Sequence, residues 1–136
     1  MFIEFLIEHW TLAAAWMVLL FMILRHENSK SGQSISSQQL SNFVNNEGGV
    51  VVDVRESSEF KQGHIVNAIN IPYRDLEKRL TELSEYKQKP VIVVCKIGQH
   101  SGAASKMLKA NEFEDVYKLL GGLSDWTSNS MPLVKS

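Results

Sequence analysis

One cysteine, Cys95, stands in the 136-residue chain, at the end of the β-branched run V-I-V-V-C and before the loop K-I-G-Q-H-S. A buried run of that kind followed by a helix-forming segment places the sulfur at a strand-to-helix turn. There, free backbone N–H groups and the positive end of the helix dipole favour the thiolate, the nucleophilic form, and Lys96 and the protonated fraction of His100 add to the effect. Gly98 lets the loop curl with its amides toward an anion, because it has no side chain to block the approach and tolerates positive φ. Lys96, Ile97, Gly98, Gln99, His100 and Ser101 are therefore candidate substrate-binding residues around Cys95, the candidate nucleophile. A lone cysteine ending a core strand is equally often one more small apolar side chain, so spacing alone leaves packing and reactivity both open.

A single cysteine excludes an intramolecular disulfide framework, and His9, His26, His64 and His100 contain no closely spaced pair to build a structural zinc site with it. His64, after Gly63, reads as a packed or hydrogen-bonded residue that positions a turn rather than as a base. The formal net charge is -1, and from Ser34 onward 12 Lys or Arg face 12 Asp or Glu, which argues against a basic face for nucleic acid.

The loop needs a strand and a helix to hold it, and the surrounding chain supplies several of each. A capping serine in S-S-Q-Q-L-S-N-F-V, with Leu40, Phe43 and Val44 at helical spacing, predicts a helix, G-G-V-V-V-D-V a short buried strand, and A-I-N-I before Pro72 another. Leu76, Leu80 and Leu83 predict an amphipathic helix to about Tyr86; P-V-I-V-V-C is a further buried strand, and residues 101–111, with Ala103, Ala104, Met107, Leu108 and Ala110, a helix. V-Y-K-L-L is the last strand, and G-G-L-S-D-W opens a final helix. Apolar strands alternating with helices imply an α/β fold with a mainly parallel sheet covered on both faces. In such folds ligands bind where strands end and helices begin.

Residues 1–25 are of another kind. Trp10 to Leu24 is apolar around the whole helical circumference except for Thr11, unlike an amphipathic surface helix. Counted from Phe5 to Leu24, the stretch would span about 30 Å, the thickness of a bilayer's hydrocarbon core. Glu4 and Glu8 stand where a secretory signal would be basic, and no small-x-small cleavage site precedes Arg25. One uncleaved N-terminal transmembrane helix over residues 5–24 is therefore expected, with the lipid bilayer as its partner. Arg25, His26 and Lys30 follow the run while carboxylates precede it, which predicts a single pass with the N-terminus outside and the C-terminal part cytoplasmic. Residues 26–34 read as a short flexible linker, and 35–136 as one globular domain.

The stretches D-V-R-E-x-x-E-F-x-x-G-H-I-x-x-A-I-N-I-P at 53–72, C-x-x-G-x-x-S at 95–101 and G-G-x-x-x-W at 121–126 together resemble the rhodanese-like domain family, over about Ile35 to Pro132. K-P-V-I-V-V-C, N-S-M-P-L-V-K and the N-terminal segment are further similar to the small membrane-bound bacterial rhodaneses of the YibN type. The resemblance implies a rhodanese-like parallel five-stranded sheet with helices on both faces, at the cytoplasmic side of a bacterial inner membrane, with integral membrane proteins as candidate partners. It implies a Cys95 thiolate that takes the outer sulfur of thiosulfate or of a protein persulfide, becomes a persulfide itself and passes the sulfur to a thiophile. No metal or organic cofactor is implied. Such a covalent intermediate divides the transfer into two displacements with ping-pong kinetics, and loop amides would stabilise negative charge on sulfur in each.

By the same resemblance Asp53 lies near the pocket, and Arg55 and Glu59 order the fold through polar contacts. Gly121 and Gly122 fit a tight turn into the last helix, and Trp126 a buried anchor for it. One position departs from the family. Loops of this kind usually read C-x-x-G-x-R-S, and this chain has His100 in place of the arginine. Arginine is always charged and presents a fixed fork of donors to oxyanions, whereas a histidine is mostly neutral at cytoplasmic pH. Thiosulfate is thus expected to be a poor donor, with Lys96 left to meet one of its oxygens.

Two other readings compete. A tethered binding module that kept the fold and lost turnover would also account for His100 and the anchor. A cysteine phosphatase on the same fold needs a longer C-x5-R loop whose arginine grips phosphate, and no arginine follows Arg79.

Overall fold

The computed structural model describes residues 1–26, the backbone of 27–30, and residues 32–135. The chain divides into two compact units, Met1–Lys30 and Ser31–Ser136.

The first unit is a pair of helices, α1 (Phe2–Glu8) and α2 (Trp10–Lys30). The continuous helix expected over residues 5–24 is broken at His9, whose φ of -116° and ψ of 25° leave the helical region. Phe2–Glu8 and Trp10–His26 are bent by 77° across this break. The backbone N–H and the Nδ1 of His9 both reach the Phe5 carbonyl, at 3.0 and 3.2 Å, and its ring stacks on Phe5 at 4.6 Å. A side chain that bonds back to its own preceding turn competes with helix continuation. Among the described residues no single helix is long and apolar enough to cross a membrane, whereas the bent pair meets that length and composition together.

The second unit is built on a five-stranded sheet in the order β1-β5-β4-β2-β3, parallel throughout. Its strands are β1 (Gln33–Ile35), β2 (Val50–Asp53), β3 (Ile69–Asn70), β4 (Val91–Val94) and β5 (Val116–Leu119). Helices α3 (Ser37–Asn46), α4 (Ser57–Gln62), α5 (Ser101–Ala110) and α6 (Gly122–Ser128) lie between and after them. Gln33 and Ser34 of β1 fall in the stretch read from the sequence as linker: both are exposed, and so short an edge strand leaves no alternation to read. Of that segment, Ser31 lies outside the described residues, as do the side chains of 27–30.

Successive strand side chains point to opposite faces, and each face has its own core. Val50, Val52, Val91, Val93 and Cys95 pack with Ala104 and Leu108 of α5 on one side. Val51, Ile92 and Val94 pack with Leu40 of α3 and Leu123 and Trp126 of α6 on the other. Ser36 caps α3 reciprocally with Gln39, at 3.2 and 2.9 Å.

The amphipathic helix expected from Leu76 to Tyr86 takes a tighter form. Its apolar residues go inside as read, Leu76 and Leu83 completely, but the backbone makes 3-10 turns at Tyr73–Asp75 and Leu80–Tyr86. Leu80, Leu83 and Tyr86 all pack on the first core. A spacing of three residues is the one that a 3-10 helix brings onto a single line.

Candidate active site

Cys95 follows β4 directly and is 1% exposed. Cys95 lines a cavity of about 290 Å3 walled also by Lys96, Gln99 and His100 of its own loop, by Val54, Arg55, Glu56 and Glu59 beyond β2, and by Tyr73 and Arg74 beyond β3. All three walls lie at the carboxyl ends of neighbouring strands, where a parallel sheet places its ligands.

The backbone N–H of Gly98 donates to Cys95 Sγ at 2.9 Å, and Gly98 holds φ at +101°, a conformation that disfavours any side chain. Ser101 is buried rather than open to the cavity: its hydroxyl donates to the Gly98 carbonyl at 3.1 Å, and its own carbonyl accepts from Ser105 Oγ at 2.7 Å. It therefore shapes the loop from below. Ile97 is 62% exposed and is not part of the cavity wall. Of the six loop residues singled out in the sequence, Lys96, Gln99 and His100 line the cavity, Gly98 acts through its amide, and Ile97 and Ser101 do neither.

A second support was not legible in the sequence. The first amides of α6 come down on the loop from the other side, Leu123 N–H donating to the Cys95 carbonyl at 2.9 Å and Ser124 N–H to the Lys96 carbonyl at 3.0 Å. Gly122 makes this approach possible. A Cβ there would lie 2.5 Å from the Cys95 carbonyl oxygen and 2.7 Å from that of Lys96. Engaging both carbonyls from behind leaves the loop's N–H groups free to turn toward the sulfur.

Gln99 Oε1 accepts from the Ile97 N–H at 3.2 Å and lies 3.8 Å from Cys95 Sγ. The amide donor determines which end of the side chain is oxygen, so the group next to the sulfur is an acceptor. It suits the thiol, whose proton it can receive, and repels the thiolate. Gln99→Ala is accordingly expected to alkylate with iodoacetamide about threefold faster than wild type at neutral pH, from a weak hydrogen bond worth about 0.5–1.5 kcal/mol. Gln99→Glu is expected to be slower than wild type, and a Glu variant as fast as the Ala variant would mean that Gln99 merely obstructs the reagent.

Asp53 and Arg55 pair at the end of β2, where Arg55 lines the cavity and Asp53 is not part of its wall. Arg55 Nη2 lies 2.8 Å from Asp53 Oδ2, its Nε reaches both carboxylate oxygens at 3.0 and 3.1 Å, and Nη2 also donates to the Gly63 carbonyl at 2.7 Å. Asn70 Nδ2 ties the same corner by donating to the carbonyls of Asp53 and Arg55. Arg55 is thus committed to the fold. Glu59, expected from the family resemblance to order the fold as well, makes no ion pair among the described residues and lines the cavity instead.

His100 lines the cavity with an aromatic ring where an arginine would present a fork of donors. Its ring lies flat against Tyr73, 4.9 Å between centroids and 13° between planes. His64 is 7% exposed, with Nδ1 donating to the Phe60 carbonyl at 2.7 Å and its backbone paired with Val134. Trp126 is buried and donates through Nε1 to the Pro132 carbonyl at 2.9 Å. Both have the structural parts read for them. Among the described residues no group of three or more His, Cys, Asp or Glu converges as metal ligands would.

Known proteins are similar to this chain in sequence and in fold. The profile of the Rhodanese-like domain matches residues 36–129. The chain is similar to the uncharacterized protein YibN of Escherichia coli strain K12, 32% identical over 137 residues, which is 97% of this chain and 95% of YibN. It is also similar to the putative sulfur carrier protein YrkF of Bacillus subtilis, 30% identical over 105 residues, 76% of this chain and 56% of YrkF. The crystal structure of a rhodanese-related protein from Thermoplasma volcanium superposes with a TM-score of 0.69 at 30% identity, covering 76% of this chain and 99% of that one. With the five-stranded parallel sheet, the cysteine loop after its central strand and a profile match over most of its length, the chain belongs to the rhodanese-like domain family.

Proposed function

We propose that the chain is a sulfurtransferase tethered to a membrane, in which Cys95 carries the sulfur. The observation that supports this most is the Gly98 N–H aimed at Cys95 Sγ from 2.9 Å, at a cavity large enough to admit a donor. In the first displacement the Cys95 thiolate attacks the outer sulfur of a donor. The Sγ–S bond forms, the donor's S–S bond breaks, and the electron pair leaves on sulfite when the donor is thiosulfate. In the second, an acceptor thiolate attacks the outer sulfur of the Cys95 persulfide and returns the Cys95 thiolate. Gly98 N–H stabilises the anionic sulfur at both ends of the cycle, and Ser101 and α6 hold the loop that presents it. Lys96 supplies a cation at the cavity wall.

His100→Arg is the direct test of the donor-binding part. Restoring a charged fork is expected to raise kcat/KM for thiosulfate about tenfold, the scale of one charge-assisted hydrogen bond, in an assay of sulfite release. A variant no faster than wild type would remove His100 from the account, and no turnover by either protein with any donor would favour the binding-module reading.

The tether is proposed from the first unit. Phe2, Phe5, Trp10, Trp16 and Phe21 are all more than half exposed, and Trp10–His26 would span about 25 Å as a helix, near the lower limit for crossing a bilayer. Arg25 after the apolar run supports a cytoplasmic location for the second unit. The chain is expected to stay with the membrane pellet through a carbonate wash; its release into the supernatant would sink the tether.

A further inference from the structure

Resting on the sulfurtransferase reading, we propose that the cavity selects a zwitterionic cysteinyl persulfide, a small organic persulfide with both an ammonium and a carboxylate group, and that Glu59 is the specificity-determining residue.

Three features of the cavity converge on this class. Thiosulfate is a dianion of a few heavy atoms and would leave most of about 290 Å3 empty. The lining carries both signs of charge. Arg55 is consumed by Asp53, and Arg74 is paired with Glu56 at 3.1 Å, which leaves Lys96 as a cation and Glu59 as a half-buried carboxylate with no ion-pair partner among the described residues. A carboxylate in the wall repels a dianion and attracts an ammonium, so one side chain disfavours the inorganic donor and favours the organic one. Lys96 then suits the carboxylate of the same molecule. Finally, His100 stacked on Tyr73 offers a flat aromatic wall beside Val54 in place of an oxyanion fork, a surface for methylene groups.

The step balances without a further reactant. The Cys95 thiolate attacks the outer sulfur of R–S–SH, the new Sγ–S bond forms as the S–S bond to R breaks, the electron pair leaves on the carrier's thiolate, and the proton stays on the transferred sulfur.

The test uses the full chain in detergent micelles and reads the loading rate of Cys95 by intact mass with cysteine persulfide, N-acetylcysteine persulfide and thiosulfate. Acetylation removes the ammonium and leaves the transferred sulfur unchanged. Cysteine persulfide is expected to load at least about threefold faster than its N-acetyl form, the scale of one partly exposed charge pair. In Glu59→Gln that ratio is expected to fall toward one while thiosulfate loading rises. Equal loading of wild type by the two organic donors, or a Glu59→Gln effect of the same sign on cysteine persulfide and thiosulfate, overturns the assignment of the donor and leaves sulfur transfer itself standing. The wild-type comparison needs no variant to fold. Absence of an adduct from every donor overturns both.

Discussion

Gly122→Ala is expected to slow sulfur transfer by about a hundredfold, the loss that follows when a reacting group is misplaced by about 1 Å. Gly122 sits at φ +62°, and an added methyl would overlap the carbonyl oxygens of Cys95 and Lys96 at 2.5 and 2.7 Å. Those atoms are backbone and cannot rotate aside. Either α6 backs away, which lengthens the bonds from Leu123 and Ser124 to the loop, or the loop moves and carries the sulfur with it. Gly48 provides the control, since it has a similar φ of +68° and nothing within 4 Å of where a Cβ would be. Gly48→Ala should show the backbone cost alone, about 1 kcal/mol, with transfer unchanged. Single-turnover rates and thermal unfolding of both variants separate the two effects. A Gly122→Ala protein with the wild-type rate would mean that α6 does not set the loop.

Asp53→Asn is expected to cost about 3 kcal/mol of stability, the lower part of the range for breaking a buried ion pair by removing one partner. Asp53 is 1% exposed and Arg55 11% by side chain. An asparagine keeps the shape and cannot neutralise a guanidinium that stays where the Gly63 carbonyl also holds it. For a domain of this size the loss corresponds to a melting temperature lower by roughly 12 °C or more. Replacing both partners with apolar residues, Asp53→Leu with Arg55→Met, is expected to restore part of it, because the uncompensated charge is gone. A single variant melting within a few degrees of wild type would show that the pair contributes little.

These two expectations also show what a sequence can and cannot display. Strands β2 and β4 were legible because each is four residues that are all buried, and the position of Cys95 followed from β4. The contact of Gly122 with the cysteine loop was not, because more than twenty residues separate them and a glycine pair reads equally well as a plain turn. The same holds for His100 on Tyr73 and for Glu59 in the cavity wall, which meet the loop only because β2, β3 and β4 end side by side. Strand β3, two residues long, was visible through its apolar flanks, whereas β1, with only Ile35 buried, was not. The Leu80–Tyr86 segment carried a period of three that can be mistaken for one side of an α-helix. The break at His9, where the side chain bonds back to the Phe5 carbonyl, is a local feature that hydrophobicity does not register.

The central claim is that Cys95 becomes a persulfide. Intact-protein mass of the purified full chain after incubation with a sulfane-sulfur donor tests it most directly. The wild type is expected to gain about 32 Da, one sulfur atom held covalently, to lose it again on addition of an acceptor thiol, and to gain nothing once Cys95→Ser has removed the nucleophile. A wild-type mass unchanged by thiosulfate and by organic persulfides alike, or an adduct that persists in Cys95→Ser, would contradict the account.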